Sequence, residues 1–174
     1  MTAESRLRAA IRDVLDFPKA GIVFKDITPV LADGGLFREC IGLFVEKLAG
    51  TGVQKVAGIE ARGFIFAAAV AYELGVGFIP IRKKGKLPWK TQSAAYQLEY
   101  GEAVVEVHVD AIAPGEKVAL IDDVLATGGT AAAAIDLVQV CGGEVVAAQF
   151  FLELGFLKGR SKLKDTRIDT IVEI

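Results

Sequence analysis

One strand–turn–helix pattern in the second half of the chain restricts the possible folds more than any other feature. The apolar run VALI at residues 118–121 leads into Asp122 and Asp123, and the turn TGGT at residues 127–130 opens into the alanine-rich residues 131–140. The run is typical of a buried strand and the alanine-rich segment is typical of a helix. The turn therefore places backbone N–H groups at a helix N-terminus, which predicts a phosphate-binding site.

The composition of the turn and of the acidic pair narrows the ligand further. Two glycines let the backbone close around an anion, two threonines add hydroxyl donors, and the helix dipole favours negative charge. Asp122 and Asp123 would repel a phosphate, so we expect their partners to be sugar hydroxyls, a bound cation or positive charge that develops during a reaction. A helix cap alone needs only one Asp, Ser or Thr. The pattern therefore predicts a phosphorylated sugar as ligand.

Composition excludes several other classes of protein. The 174 residues fit one domain, residues 1–174, and the 52% that are hydrophobic suffice for one core without disulfides or a structural metal. A formal net charge of -2 gives no overall attraction to nucleic acid or to an anionic membrane. Cys40 and Cys141 lack a CxxC spacing and the chain has 1 histidine, which excludes a zinc site. We expect two reduced thiols in a cytoplasmic protein.

Strand-like and helix-like runs alternate along the chain. The apolar spacing predicts helices over residues 5–14, 36–48, 64–74 and 131–140, and strands over 54–59, 77–81, 117–121 and 144–152. This alternation predicts an α/β fold with a central, mostly parallel sheet flanked by helices on both faces. Residues 95–100 and 103–109 break the alternation and predict an antiparallel hairpin.

Five motifs carry a resemblance to a known family. The pattern around residues 118–130 resembles the phosphoribosyl-diphosphate-binding motif of the type I phosphoribosyltransferases. Four more resemble the adenine phosphoribosyltransferase family, in that family's order: FKDITP at 24–29, EARGF at 60–64, RKKGKLP at 82–88 and YQLEYG at 96–101. The resemblance implies the type I phosphoribosyltransferase fold, with a small N-terminal hood over roughly residues 1–34 and a mobile lid and hairpin over roughly residues 82–110.

The resemblance also implies a reaction. The 5-phosphoribosyl group would pass from 5-phosphoribosyl 1-diphosphate to adenine, which yields AMP and diphosphate in purine salvage. The family works with Mg²⁺, which we expect the diphosphate substrate to carry rather than dedicated protein ligands. Members are typically homodimers, so the resemblance implies a homodimer here as well.

By the same resemblance, the two sheet-edge motifs hold the sugar and its leaving group. Arg62 contacts the diphosphate, in a turn shared with Glu60 and Ala61. Asp122 and Asp123 hold ribose hydroxyls and oppose the positive charge of an oxocarbenium-like ribose. Taken alone, Arg62 also fits an arginine that pairs with a surface carboxylate.

Two further groups of residues are implied to bind phosphates. The basic run belongs to the lid that neutralises the diphosphate, although such a run in isolation is usually a solvated surface. Its assigned residues are Arg82, Lys83 and Lys86. The residues assigned to the 5′-phosphate are Ala126, Thr127, Gly128, Gly129 and Thr130.

The base is implied to lie in the hood. Phe24 stacks on adenine opposite Val124, and backbone groups of Val23 and Lys25 hydrogen-bond the edge of the ring. Core packing is the alternative role for Val23 and Phe24. The family often has arginine where this chain has Lys25, so that side chain departs from the pattern.

Proton handling is implied to belong to Glu99, with Tyr100 nearby. Attack by a ring nitrogen of the base requires loss of a proton, and a carboxylate over the base meets that need. The alternative for Glu99 is a solvent-facing residue of a strand.

Two other functions fit the same fold. A phosphoribosyltransferase for a 6-oxopurine usually places a lysine near the base, and no matching motif is evident in this sequence. A non-catalytic regulator that senses phosphoribosyl diphosphate would add a DNA-binding region and a basic face, and neither is evident. The segment LEYG at residues 98–101 favours the adenine family.

Overall fold

The computed structural model describes residues 2–97, 102–163 and 165–174. These residues form two compact units, and the boundary between the units follows Leu43. The first unit contains α1 (Ala3–Ala10), β1 (Arg12–Leu15), β2 (Val23–Asp26), α2 (Thr28–Ala32) and the first part of α3 (Gly34–Leu48). Within it, β1 and β2 form an antiparallel two-stranded sheet.

The first helix is shorter than its apolar spacing predicts. Thr2 caps α1 by accepting a hydrogen bond from the Ser5 N–H (3.2 Å), and the helix ends at Ala10. The predicted continuation to residue 14 is wrong, because Val14 lies in β1 opposite Phe24. Strand pairing with a segment ten residues later along the chain overrides the local helical period, and β-branched valine suits a strand.

The second unit is built around a seven-stranded sheet. After the end of α3 its elements are β3 (Lys55–Ile59), α4 (Gly63–Leu74), β4 (Gly77–Lys83), β5 (Thr91–Gln97), β6 (Glu102–His108), β7 (Lys117–Leu125), α5 (Gly129–Val140), β8 (Glu144–Glu153) and β9 (Ile168–Glu173). The strand order is β5-β6-β4-β3-β7-β8-β9. Neighbouring strands are parallel from β4 through β3, β7 and β8 to β9, whereas the β5–β6 and β6–β4 pairs are antiparallel. The predicted α/β class and the mostly parallel sheet are confirmed. The predicted hairpin is present as the antiparallel pair β5–β6, but β5 begins at Thr91 rather than at residue 95, and residues 98–100 of the predicted strand lie outside the described residues.

Helices cover both faces of this sheet. A Cβ on Gly58 would lie 2.6 Å from the Ala67 Cβ, so Gly58 lets α4 approach β3 on one face. Its neighbour Ala57 belongs to the apolar cluster that includes Ala134 and Leu137 of α5. Because successive strand residues point to opposite faces, α4 and α5 lie on opposite sides. No helix in the described part of the chain is long and apolar enough to cross a membrane.

Candidate active site

The acidic pair lies inside β7 rather than after it. The strand continues to Leu125 because its pairing with β8 continues, with Asp122 opposite Phe150 and Val124 opposite Leu152. Asp122 is 9% exposed and Asp123 is 7% exposed. The Asp123 N–H donates to Asp122 Oδ1 at 2.8 Å. The sequence-based end of this strand, at residue 121, is therefore too early, and two carboxylates are buried at the carboxyl end of the sheet.

Burial makes the charge on Asp122 costly. Loss of solvent raises the pKa of Asp122 well above its ordinary value, the nearby Asp123 carboxylate raises it further, and Arg62 opposes the shift. A Cβ on Gly63 would lie 2.6 Å from Asp122 Oδ1 and 3.1 Å from the Ile121 carbonyl oxygen. Only glycine at this position lets the first turn of α4 reach the acidic pair, and the positive end of that helix favours the carboxylate.

The predicted phosphate turn, residues 127–130, leads from β7 into α5. Gly128 has φ +79°, a left-handed conformation that glycine adopts without steric cost, and α5 begins at Gly129. No described side chain caps this helix start, so its first N–H groups remain available to an anion. A pocket of about 130 Å³ is lined by Asp122, Val124, Leu125, Ala126, Thr127, Gly128, Gly129, Thr130 and Ala131. The predicted turn residues and Asp122 thus share one concave surface.

Arg62 lies beside the acidic pair. It forms an ion pair with Asp123, in which its Nε donates to Asp123 Oδ2. The Arg62 side chain is 48% exposed, whereas the Asp123 side chain is 10% exposed. Arg62, predicted to contact the diphosphate, and Asp123, predicted to hold the ribose, are therefore in direct contact. Of the two, Arg62 faces solvent.

Glu60 ties the end of β3 to the basic run. The Glu60–Ala61 peptide bond is cis, and the Glu60 carboxylate accepts hydrogen bonds from Arg82 Nε (3.2 Å) and from the Lys83 N–H (3.1 Å). The hydrogen bond from Arg82 lowers the pKa of Glu60 despite its partial burial. Arg82 also donates to the Lys86 carbonyl oxygen at 3.0 Å. Glu60 and Arg82 are adjacent, whereas Lys83, the last residue of β4, and Lys86, after the following turn, are exposed.

A buried carboxylate that the sequence analysis missed holds the same turn. Glu106 on β6 is 7% exposed and accepts a hydrogen bond from the Gly85 N–H at 2.9 Å. Glu106 shares one face of β6 with Val104 and His108, whereas its immediate neighbours Val105 and Val107 point to the other face. A glutamate at such a position usually faces solvent, so the alternation did not indicate that Glu106 is buried. Two carboxylates, Glu60 and Glu106, thus accept hydrogen bonds from the first residues of the predicted lid.

The predicted base-binding residues lie on β2 in the first unit. Phe24 is half-buried, with its ring centroid 5.2 Å from that of Phe17 in an edge-to-face arrangement. Val23 is exposed, and Lys25 Nζ donates to Asp13 Oδ1 at 2.7 Å. The sheet of β1 and β2 has two strands in the described residues.

Comparison with known proteins identifies the family. The phosphoribosyl transferase domain family matches residues 30–173. The chain is 57% identical over 166 residues to the adenine phosphoribosyltransferase of Anaeromyxobacter dehalogenans, covering 95% of this chain and 96% of the relative. The chain belongs to the adenine phosphoribosyltransferases.

Solved adenine phosphoribosyltransferases have the same fold. The enzyme from Thermoanaerobacter pseudethanolicus superimposes with a TM-score of 0.95 at 47% identity, covering 98% of this chain and 99% of that one. The enzyme from Saccharomyces cerevisiae, solved in complex with adenine and D-2,5-dideoxy-2,5-imino-altritol 1,6-bisphosphate, gives a TM-score of 0.93 at 39% identity, covering 97% and 98%.

The two matches differ in where they begin. The general phosphoribosyl transferase domain starts at residue 30 and includes both sheet-edge motifs, but it leaves out β2. The adenine phosphoribosyltransferase of Anaeromyxobacter dehalogenans matches 95% of the chain. The resemblance to adenine phosphoribosyltransferases therefore extends beyond the part that all members of the wider family share.

Two predicted site residues, Glu99 and Tyr100, lie outside the described residues. The last described residues of β5 lie beside the turn at residues 127–130. A Cβ on Gly129 would lie 3.6 Å from the Gln97 carbonyl oxygen and 3.7 Å from the Tyr96 ring.

Proposed function

We propose that the chain transfers the 5-phosphoribosyl group of 5-phosphoribosyl 1-diphosphate to adenine and releases AMP and diphosphate. One observation carries this proposal: two buried carboxylates near the end of β7 are followed directly by a helix N-terminus that no described side chain caps. A ribose 5-phosphate needs both parts, because its phosphate is anionic and its ring becomes cationic as the leaving group departs. The yeast relative, solved with adenine and an imino-altritol 1,6-bisphosphate, supports the ligand class.

The proposed mechanism assigns each charge in the site to one part of the substrate. The N–H groups of residues 127–130 hold the 5′-phosphate, which fixes the sugar relative to β7. Asp122 and Asp123 accept hydrogen bonds from the ribose hydroxyls and oppose the positive charge on the ring in the transition state. Arg62 stabilises the diphosphate as the bond at the anomeric carbon breaks. The predicted lid and hairpin, roughly residues 82–110, would exclude water by closing over the site.

Arg82 and the exposed lysines add positive charge on the diphosphate side. Glu60 orients Arg82 through two hydrogen bonds, from Arg82 Nε and from a terminal guanidinium nitrogen at 3.3 Å. Lys83, at the end of β4, and Lys86, after the following turn, are exposed to solvent. This arrangement fits a flexible rim around a more rigid core of anion-binding groups.

The donor set fits Mg²⁺ that arrives with the diphosphate. Magnesium is held in many proteins by one or two carboxylates together with substrate phosphate oxygens. Asp122 and Asp123 supply two carboxylates, and the described residues contain no cluster of three or more His, Cys, Asp or Glu side chains that would form a dedicated metal site. When bound, Mg²⁺ would neutralise negative charge on the departing diphosphate.

Adenine is proposed to bind at β2. Phe24 supplies an aromatic ring of the kind that stacks on a purine, and backbone groups of Val23 and Lys25 are proposed to hydrogen-bond the rim of the base. Val124 contributes an apolar side chain from the pocket lining. Glu99 is proposed to take the proton that the attacking nitrogen loses, with Tyr100 beside it.

We also propose that the protein works as a homodimer. Ile65 and Tyr72 of α4 and Phe78 of β4 are 42%, 86% and 37% exposed, and an interface with a second copy would cover such apolar side chains. Light scattering after gel filtration would show twice the chain mass of 18.5 kDa if this is correct. The cytoplasmic location stays a prediction from the sequence.

A single assay tests the reaction and the base. Radiolabelled adenine, hypoxanthine, guanine and xanthine are offered separately with phosphoribosyl diphosphate and Mg²⁺. We expect AMP to form faster than any 6-oxopurine nucleotide by on the order of 10²-fold or more, because a site that hydrogen-bonds one base rim leaves groups unpaired with another. Preferential formation of a 6-oxopurine nucleotide would contradict the base assignment. Binding of phosphoribosyl diphosphate with no product from any base would indicate a sensor instead.

A further inference from the structure

The loop after β8 packs its backbone directly against the phosphate turn. This loop contains two short 3-10 helices, Gly155–Leu157 and Gly159–Lys162. A Cβ on Gly159 would overlap the Ala126 carbonyl oxygen and lie 3.0 Å from Leu125 Cδ1. Conversely, a Cβ on Gly128 would lie 3.1 Å from the Gly159 carbonyl carbon and 3.2 Å from its Cα. Two glycines therefore allow two backbone segments to touch with no side chain between them.

An ion pair fixes the residue next to Gly159. Glu153, which ends β8 opposite Leu125, is 3% exposed. Arg160 donates from Nε to Glu153 Oε1 (2.7 Å) and Oε2 (2.9 Å), and from a terminal nitrogen to Oε2 (2.7 Å). The same guanidinium also donates to Thr170 Oγ1 at 3.2 Å and to the Ile168 carbonyl oxygen at 3.2 Å. A planar fork with this many acceptors holds its backbone in one place.

The chain also supports the turn through the strand itself. The Leu154 N–H donates to the Leu125 carbonyl oxygen at 2.9 Å, which continues the β7–β8 pairing past the end of β8. The contact from Gly159 reaches Ala126 and Gly128, the next residues along. The turn thus contacts this loop at successive positions, and residues 126–130 also line the pocket.

We propose that Gly159 and the Arg160–Glu153 ion pair are positioning residues for the 5′-phosphate of the substrate. This inference rests on the proposed function. The turn contains small residues and a left-handed glycine, so its own side chains cannot fix the direction of its N–H groups. The backbone of Gly159 forms a rigid wall that keeps those groups converged on one point, and Arg160 holds that wall against the sheet.

The test separates the two anion sites of the intact enzyme. Ribose 5-phosphate and, separately, diphosphate with Mg²⁺ are titrated into wild type, Gly159→Ala and Arg160→Lys by calorimetry. Arg160→Lys keeps the charge but loses the fork. We expect the Kd for ribose 5-phosphate to rise about 10-fold or more in both variants, because one weakened hydrogen bond to a charged phosphate costs that much affinity. The Kd for diphosphate should stay within about two-fold of wild type, since a factor of two is below 0.5 kcal/mol. In steady state, the KM for phosphoribosyl diphosphate should rise while the KM for adenine does not.

Gly143→Ala is the matched control. Its Cβ would lie 2.9 Å from both Ile112 Cγ2 and Val138 Cγ1, so it perturbs packing at the other end of α5, about 18 Å away along the helix. Its two affinities should stay close to those of wild type. If Gly159→Ala does not fold, Arg160→Lys alone decides. Unchanged ribose 5-phosphate affinity in a folded variant, or an equal loss for both ligands, overturns the inference. Wild type that binds no ribose 5-phosphate overturns the proposed function instead.

Discussion

Replacing Asp122 with asparagine should make the protein more stable and much less active. Asp122 is 9% exposed, and its one described hydrogen-bond donor is the Asp123 N–H, at 2.8 Å. Asp122→Asn keeps an oxygen that accepts this hydrogen bond and removes a negative charge that burial and Asp123 both disfavour. The fold keeps a carboxyl group whose charged form burial disfavours because the proposed reaction uses it, and residues selected for activity commonly reduce stability in this way.

The size of the effect follows from the burial. Removing one disfavoured buried charge while the hydrogen bond is kept should raise the free energy of unfolding by about 1–2 kcal/mol at pH 7. For a chain of this length each kcal/mol shifts Tm by about 2–4 °C, so Tm should rise by about 2–8 °C. Turnover should fall by on the order of 10²-fold, the usual cost of removing one preorganised group that stabilises transition-state charge.

The raised pKa of Asp122 also predicts how the stability difference between Asp122→Asn and wild type changes with pH. The pKa of Asp122 is raised in the folded state, so the stabilising contribution of its protonated form is fully present below the unfolded pKa of about 3.9. That contribution is lost as pH rises through the raised folded pKa. The advantage of Asp122→Asn over wild type should therefore be greatest at neutral pH and should shrink as pH is lowered.

Differential scanning calorimetry between pH 5 and pH 8 measures this difference, with Asp136→Asn as control. Asp136 is exposed on α5, so the same chemical change there should leave Tm within about 1 °C of wild type. A Tm for Asp122→Asn equal to or below that of wild type at pH 7 would refute the reasoning. So would a gain that does not depend on pH, because it could not come from a titrating carboxylate.

Three other substitutions test the remaining roles. Asp123→Asn should lower kcat by about 10²–10³-fold while the circular dichroism spectrum is retained, because its partner Arg62 is 48% exposed and stays hydrated; wild-type turnover would remove the acidic pair from the mechanism. Glu99→Gln should lower the single-turnover rate more than it weakens adenine binding, and an unchanged chemical step in rapid-quench measurements would rule out proton handling. Phe24→Ala should raise the KM for adenine about 10-fold, with the KM for phosphoribosyl diphosphate unchanged, since stacking of a base on an aromatic ring contributes about 1–3 kcal/mol; Phe156→Ala, at an exposed position, is the control.

The buried centre of the second unit was predictable from the sequence. Parallel strands that are covered on both faces require continuous apolar runs, and these runs located β3, β4, β7 and β8 to within a few residues. The turn at residues 127–130, between β7 and α5, was predictable for a related reason. Its proposed function depends on backbone N–H groups and small residues, so the sequence pattern carries most of that proposal.

Elements that depend on distant partners were not predictable. The strand β1 lies within a helical period, and β9 pairs only with β8 at the edge of the sheet. The end of β7 was placed too early because Asp122 and Asp123 are unfavourable in a buried strand, and only the pairing with β8 keeps them there. Polar residues in a strand are a weak local signal, although they mark the site.

The contacts of Arg62 and Arg82 could not be predicted from the sequence for the same reason. Glu60 and Arg82 are 22 positions apart, and Arg62 and Asp123 are 61 apart, so each pair exists only because neighbouring parallel strands end at one edge. The pairing has a functional consequence. Each arginine proposed to bind diphosphate is paired with a carboxylate, Arg62 with Asp123 and Arg82 with Glu60. An incoming diphosphate can compete for Arg62, and ribose hydroxyls can then occupy Asp123. The two ends of the substrate would thus replace one internal ion pair, which links binding of the leaving group to binding of the sugar.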